Sequence, residues 1–373
     1  MAKIQLTPEQ ERLEKMRKLA DLINKSQWGG ENHDIASVLG DEAVVSNITR
    51  FQIGNKAIDY ALGGGVPRNK IIELYGAESC GKSTMVYHMI ASYQKKYPNE
   101  GILLIDTESG YDPVYAENLG VNAKGIIHVP AESGIGALNI AKMAAESGGA
   151  NLIIIDSIAA LTTKSDEEGN IGEQMMAEQA RMISQAFRVL NSMITKHDLT
   201  FIVTNQVREN IGQSYGDKTV TPAGKALKHY AHIRAKLTRI NQIKQKINGE
   251  EVVVGIDARF DCVKNKVAPP FRKADYSITF GLGIDNVISS VNLGIEKGVI
   301  IKKGGWFNYN GVQTQGLPVV VEMFRKDQAL LDKLNADIDA VIAKAASASM
   351  MSEAEIDEAK KDNQEDNSEV ESV

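Results

Sequence analysis

The chain has 373 residues, 43% hydrophobic and 24% charged, enough apolar material for one large core with smaller attachments, which excludes a disordered or low-complexity protein. No run approaches the roughly 18 uninterrupted apolar residues of a membrane span, and the charged N-terminus carries no signal-peptide block, so a cytoplasmic location is expected. The net charge of −6 speaks against a nucleic-acid binder only until it is located: nine acids against Lys360 and Lys361 put −7 on residues 353–373 and leave +1 on the rest, a body able to gather its Lys and Arg on one face.

In chain order, residues 8–25 set Leu13, Met16, Leu19, Leu22 and Ile23 among charges, an amphipathic helix starting at Thr7 and Pro8. A polar stretch, SQWGGENHD, follows. From about Val44 the runs KIIELYG, GILLIDTE, NLIIIDS and TFIVTNQV alternate with helical segments. They are apolar throughout rather than alternating, as suits central strands of a parallel sheet covered on both faces, and the alternation predicts a doubly wound α/β core. AHIRAKLTRI, ARFDCVKNKV and KADYSITFG read as additional antiparallel strands. The expected organisation is an N-terminal helix and linker over 1–43, a core over 44–282, a small α+β domain over 283–346 and an acidic disordered tail over 347–373. Cys80 and Cys262 have no paired or metal-ligand spacing, which points to a reduced compartment and makes Cys80 a small filler.

The most informative stretch is GAESCGKST, placed between a strand-like run and a helical one. Gly76, four residues, then Gly81, Lys82 and Ser83 fit G-x-x-x-x-G-K-[ST] at every fixed position. Such a turn curls so that its N–H groups form a nest for phosphates at the positive end of the next helix. The nucleotide cradle is thus Gly76, Ala77, Glu78, Ser79, Cys80, Gly81, Lys82, Ser83 and Thr84, with Lys82 on the β and γ phosphates and the Ser83 hydroxyl on Mg²⁺. In an open parallel sheet ligands collect at the carboxyl edge, so the polar endings of the other runs are candidates for chemistry. Asp156 ends LIIID in the form of the second phosphate-site motif and orients Mg²⁺. Glu108 is the candidate base that aligns water, and Gln206 the candidate donor to the γ-phosphate.

With these residues in hand, the chain resembles the bacterial RecA recombinases, DNA-dependent ATPases of homologous recombination. The resemblance runs in family order from TRFQIGNKAIDYALGGGVPRNKIIELYGAESCGKST through IDTESGYDPVYAENLGV, IIIDSIAALTTKSDEEGNIGE and TNQVRENIGQSYGD to VKNKVAPPFRKADYSI and GGWFNYNG. It implies a RecA-like P-loop core, ATP and Mg²⁺ as cofactors, and a head-to-tail filament on single-stranded DNA that pairs with homologous duplex DNA. It implies that Tyr115 stacks on adenine, that Asp112 bonds the adenine edge, and that Lys264 and Lys266 reach the γ-phosphate of a neighbouring subunit. Such a head-to-tail contact propagates into a helix when its rotation does not close. The apolar face of the N-terminal helix suits packing on that neighbour.

The resemblance also makes SDEEGNIGEQMM and ENIGQSYGDKTVTPAGK the paired DNA-holding loops. Met176 and Ile211 then sit where an apolar side chain wedges between bases, and Arg181, Ser184, Arg188, Arg208, Gly212, Ala223, Gly224 and Lys225 complete the DNA-binding set. Arg181 and Arg188, seven residues apart, share a helix face and are able to meet phosphates. Three residues depart from the usual family pattern: Pro222 in the second loop, Asn210 where a basic residue is common, and His229 where an aromatic is usual. A motor ATPase on the same core and a nucleoprotein scaffold that uses ATP only as a switch remain the competing readings. The acidic tail is open between a solubilising extension and a regulatory segment that competes with DNA.

Overall fold

The computed structural model describes residues 7–26, 48–168, 176–209, 219–220 and 224–348. The chain forms two units, Met1–Thr49 and Arg50–Val373. In the first, α1 (Pro8–Lys25) starts where the sequence places it. The Thr7 hydroxyl accepts from the Gln10 amide while the Gln10 side chain accepts from the Thr7 amide, a capping box with Pro8 in the first turn.

The second unit runs β1 (Arg50–Phe51), α2 (Lys56–Leu62), β2 (Val66–Pro67), β3 (Ile71–Gly76), α3 (Lys82–Lys96), β4 (Ile102–Asp106), α4 (Pro113–Asn118), β5 (Ile126–Pro130), α5 (Gly134–Ser147) and β6 (Leu152–Asp156). It continues with α6 (Lys164–Glu168), α7 (Met176–Lys196), β7 (Thr200–Gln206), β8 (Arg208–Glu209), β9 (Thr219–Val220), α8 (Gly224–Tyr230), β10 (Ile233–Ile247), β11 (Glu250–Asn265), β12 (Lys273–Thr279) and β13 (Gly283–Ile284). The last described elements are α9 (Asn286–Glu296), β14 (Ile301–Lys303), β15 (Trp306–Tyr309), β16 (Val312–Gln315), α10 (Leu317–Lys326) and α11 (Gln328–Ala348).

Nine strands form one sheet in the order β13-β12-β11-β10-β3-β7-β6-β4-β5. β10 through β5 are mutually parallel in that order, and β11, β12 and β13 add on antiparallel. β10 and β11 pair antiparallel along their length, as expected of AHIRAKLTRI and ARFDCVKNKV, and on its other edge the first five residues of β10, Ile233–Leu237, also pair parallel with β3. Helices cover both faces. β3, β4 and all but the last residues of β6 and β7 are buried, which is why their runs read as apolar without alternation.

Because side chains alternate across a sheet, one strand feeds two cores. Ile72, Leu74, Leu104 and Ile154 pack with Met85, Ile90 and Tyr93 of α3; Ile71, Ile105, Ile155 and Val203 pack with Ile183, Phe187, Leu190 and Ile194 of α7 and Leu227 of α8. Val291 of α9, Phe324 of α10 and Leu334 and Ile338 of α11 join the first cluster, so the small C-terminal sheet and its helices share the core of the main sheet.

Candidate nucleotide and nucleic-acid site

β3 is fully buried and ends at Gly76, where the chain must turn tightly. A Cβ on Gly76 would lie 2.3 Å from the Leu237 carbonyl oxygen and 2.7 Å from Cys80 Sγ, so only glycine fits. Gly81 closes the turn at φ +90°, a left-handed residue that caps α3, and a Cβ there would meet Ile278 at 2.4 Å. Cys80 is buried and its thiol is pushed up chiefly by burial, in keeping with a filler. α3 has no acid in its first turn and Lys95 and Lys96 in its last, so nothing offsets the positive field that its N-terminus presents to an anion. Lys82 Nζ donates to the carbonyls of Gly76 (3.2 Å) and Ala77 (2.9 Å), which folds it back over the turn.

Strand register carries the other groups to the same edge. Gly76 pairs with Gln206, and Asp106 with Asp156. Ser83 Oγ donates to Asp156 Oδ2 at 2.8 Å, and the Thr204 hydroxyl donates to Oδ1. Glu108 Oε1 accepts from Ser157 Oγ and, at 3.0 Å, from Gln206 Nε2. The turn that carries Glu108 is wound on Asp106, whose carboxylate accepts the amides of Glu108 (3.1 Å), Gly110 (3.2 Å) and Tyr111 (2.9 Å). Burial pushes the Asp156 carboxyl up, opposed by its bonds from Thr204 and Ser83 and reinforced by Glu108 and Asp106. A cleft of about 30 Å³ lies among Ser83, Asp106, Glu108 and Asp156. Its donors are all oxygens, the set a hard cation prefers, and crowded carboxylates gain from such a charge. Among the described residues no group of three or more His, Cys, Asp or Glu is arranged to hold a metal.

Beside the turn a cavity of about 690 Å³ is bordered by Ser79, Thr84, Asp112, Tyr115, Arg239 and Phe280. Tyr115 OH is 3.0 Å from Thr84 Oγ1, and its ring meets Tyr87 edge to face at 5.9 Å. Asp112 caps α4 by accepting the Tyr115 amide at 3.0 Å through Oδ1. Arg239, Gln242 and Phe280 were not among the residues singled out from the sequence, because they arrive from β10 and from the end of β12, far along the chain. The only sequence signal was an aromatic closing KADYSITFG.

Lys264 and Lys266 lie elsewhere. Lys264 pairs with Arg234, which pairs with Glu73, so it stands two strands and three residues from Gly76, about 14 Å by strand spacing and rise. Lys264 Nζ donates to the carbonyls of Lys228 and His229, and Lys266 Nζ to His229 at 3.4 Å. Neither reaches the phosphate turn of its own chain.

The candidate DNA residues fall on α7, β8 and α8. Arg181 and Arg188 are exposed on one stripe of α7 with Ser184 half-buried between them, while Ile183, Phe187 and Leu190 face the core. Arg181 also borders a cleft of about 560 Å³ between α5 and α7. Met176 begins α7, Arg208 lies in β8, and Gly224 and Lys225 begin α8. Ile211, Gly212 and Ala223, with Asn210 and Pro222, lie outside the described residues. Gln179 ties α7 to the turn after β6 by donating to the carbonyls of Leu161 (2.8 Å) and Ala159 (3.3 Å).

The family model for the RecA N-terminal domain matches residues 17–285. Among curated relatives, Protein RecA of Chlorobaculum tepidum is 39% identical over 313 residues, 83% of this chain and 88% of that protein. Protein RecA of Rickettsia bellii is 40% identical over 302 residues, 81% and 85% of the two chains. Protein RecA of Methylococcus capsulatus is 42% identical over 275 residues, 73% and 77%.

Proposed function

The chain belongs to the RecA family, and from that premise we propose how its own residues carry out DNA-dependent ATP hydrolysis, filament formation on single-stranded DNA and strand exchange with homologous duplex DNA. The observation that carries the reading is the convergence of Ser83, Glu108, Asp156 and Gln206 on the carboxyl edge beside the phosphate turn.

The amides of Ala77 to Thr84 and the N-terminus of α3 hold the phosphates, with Lys82 turning from the Gly76 and Ala77 carbonyls onto the β and γ oxygens. Ser83 and Asp156 would hold Mg²⁺, which would supply positive charge against that of the phosphates. Glu108 orients water for attack on the γ-phosphate. Gln206 donates to Glu108 in this structure, so a γ-phosphate that offers a stronger acceptor draws it away and moves the end of β7. The adenine lies against Tyr115 in the larger cavity with Asp112 at its edge. Lys264 and Lys266, out of reach of their own phosphate turn, serve the site of the next subunit, which makes ATP a bond between neighbours. The apolar side of α1 packs on that neighbour. Arg181, Ser184 and Arg188 on α7, with Met176, Arg208, Ile211, Gly212, Ala223, Gly224 and Lys225, form the DNA-facing surface, which binds through phosphates and unstacked bases with little regard to sequence. No helix among the described residues is long and apolar enough to cross a membrane, and the cytoplasm is the proposed location.

The test is ATP hydrolysis with and without single-stranded DNA, repeated with duplex DNA and across a salt series. Stimulation by single strands that falls as salt rises is the expected result. Hydrolysis indifferent to DNA would leave the ATP site but remove the role given to α7 and the paired loops.

A further inference from the structure

On the face of the sheet that packs under α7 and α8, Ile71, Ile155, Phe201 and Val203 are apolar and buried, and a buried polar row lies beside them. Glu73 in the middle of β3 is fully buried, and its carboxylate is used on both sides. Oε2 accepts from Arg234 Nε on β10, and Oε1 accepts from Asn205 Nδ2 on β7 at 3.0 Å. The Arg234 guanidinium lies 4.6 Å from the centre of the Tyr75 ring. Asn205 Oδ1 is buried with no hydrogen-bond partner among the described residues. Turning the amide over would put that oxygen against the Glu73 carboxylate, so the orientation is set by charge.

A buried ion pair is weak evidence for stability, since apolar side chains of similar volume often serve as well, and an unpartnered amide oxygen beside it adds a further cost. The row is more informative in what it joins. Asn205 is adjacent to Gln206, which bonds Glu108. Arg234 is the register partner of Lys264, whose ammonium holds the last carbonyls of α8. Burial chiefly, then Lys266 and Arg234, lower the Lys264 ammonium, and Glu73 acts in the opposite sense. The chain leaves the sheet after Gln206 and returns to it through α8, so both ends of that excursion rest on one carboxylate.

We propose that Glu73, with Arg234 and Asn205, is the positioning element that makes the nucleotide-responding end of β7 and the α8–Lys264 contact move as one. It touches neither nucleotide nor DNA. A shift of Gln206 toward a γ-phosphate pulls on the Asn205 amide. Glu73 and Arg234 then carry that displacement to Lys264 and α8, giving the two sites a shared two-state element. This rests on the reading of Gln206 and Lys264 as groups that respond to ATP.

The test uses the full chain in two variants and one control. Glu73→Met/Arg234→Met replaces the ion pair by apolar side chains and leaves no unpaired charge, while Asn205→Ala severs the link to β7 and keeps the ion pair, so it decides the matter where the double variant does not fold. The ratio of ATP hydrolysis with single-stranded DNA to hydrolysis without it is expected to fall by about tenfold or more in each folded variant, with binding of an ATP analogue within about twofold of the parent. A merely structural role would lower thermal stability and leave that ratio in place; a ratio unchanged in either folded variant overturns the proposal. Gln206→Ala is the control. If it loses the stimulation while the two variants keep it, the coupling through Glu73 alone is wrong; if Gln206→Ala keeps it, the reading of Gln206 beneath the proposal falls and the proposal with it.

Discussion

Glu108 receives both Ser157 and Gln206 on Oε1. Glu108→Gln keeps the shape and the acceptor but not the basicity. ATP-dependent DNA binding is expected to survive while turnover falls by about 10²-fold or more, read as product formed at saturating ATP. His88 offers a different check. Its Nε2 accepts the Ile284 amide at 3.0 Å, and burial holds its pKa down to about 4, so it is neutral in the fold. The unfolded chain takes up that proton near 6.5, so the contribution is complete above about pH 6.5 and is lost as pH falls toward 4, roughly 2–3 kcal/mol by pH 4.5. Asp59 runs the other way: burial pushes its carboxyl up to about 6, so its contribution is largest in acid and declines as pH rises through that value. Comparing urea unfolding of the parent with His88→Gln, which keeps an acceptor for Ile284, isolates the first effect, and the variant is expected to show the shallower acid loss. Single positions such as Lys82, Ser83 and Glu108 were legible in the sequence because their motif fixes residue type and spacing together. His88 was not, because one histidine inside a helical run carries no sign of what lies above it.

At the scale of elements, β11 and the residue that follows it deliver Lys264 and Lys266 to α8 on the far side of β10 from the phosphate turn. Changing both to Ala removes the half-buried Lys264 ammonium and the exposed Lys266 one and no apolar core contact, so the monomer is expected to fold with a circular dichroism melt close to the parent's. ATP-dependent filaments are expected to be absent by electron microscopy, and filaments of normal length would refute the cross-subunit role. The parallel strands β3, β4, β6 and β7 were readable because each is buried on both faces and so runs apolar from end to end. β5 carries no such signal: it is an edge strand, and the exposure of Ile127 and His128 goes with a polar residue that interrupts the apolar run. β10 reads as an antiparallel strand, and β11 supplies that neighbour; its parallel pairing with β3 on the other edge has no mark in its own residues.

For the whole molecule, charge gives the clearest prediction. Ending the chain after Ser352 changes its net charge from −6 to +1. DNA binding by the shortened chain is expected to tighten most at low salt, with the difference shrinking as the Debye length falls to about 8 Å at physiological ionic strength. Equal affinity at every salt would make the tail a bystander. The sequence by itself determined the P-loop, the α/β class, the family and the order of the candidate groups, because phosphate cradles and double-sided burial impose residue types at short, fixed spacings. Only the tertiary structure decided that Asp156 meets Ser83, that Arg239 and Phe280 border the cavity beside the phosphate turn, and that Glu73, Asn205 and Arg234 form one buried row. Those partners lie tens to more than a hundred residues apart, and strand order and register, which no local pattern encodes, bring them within a hydrogen bond.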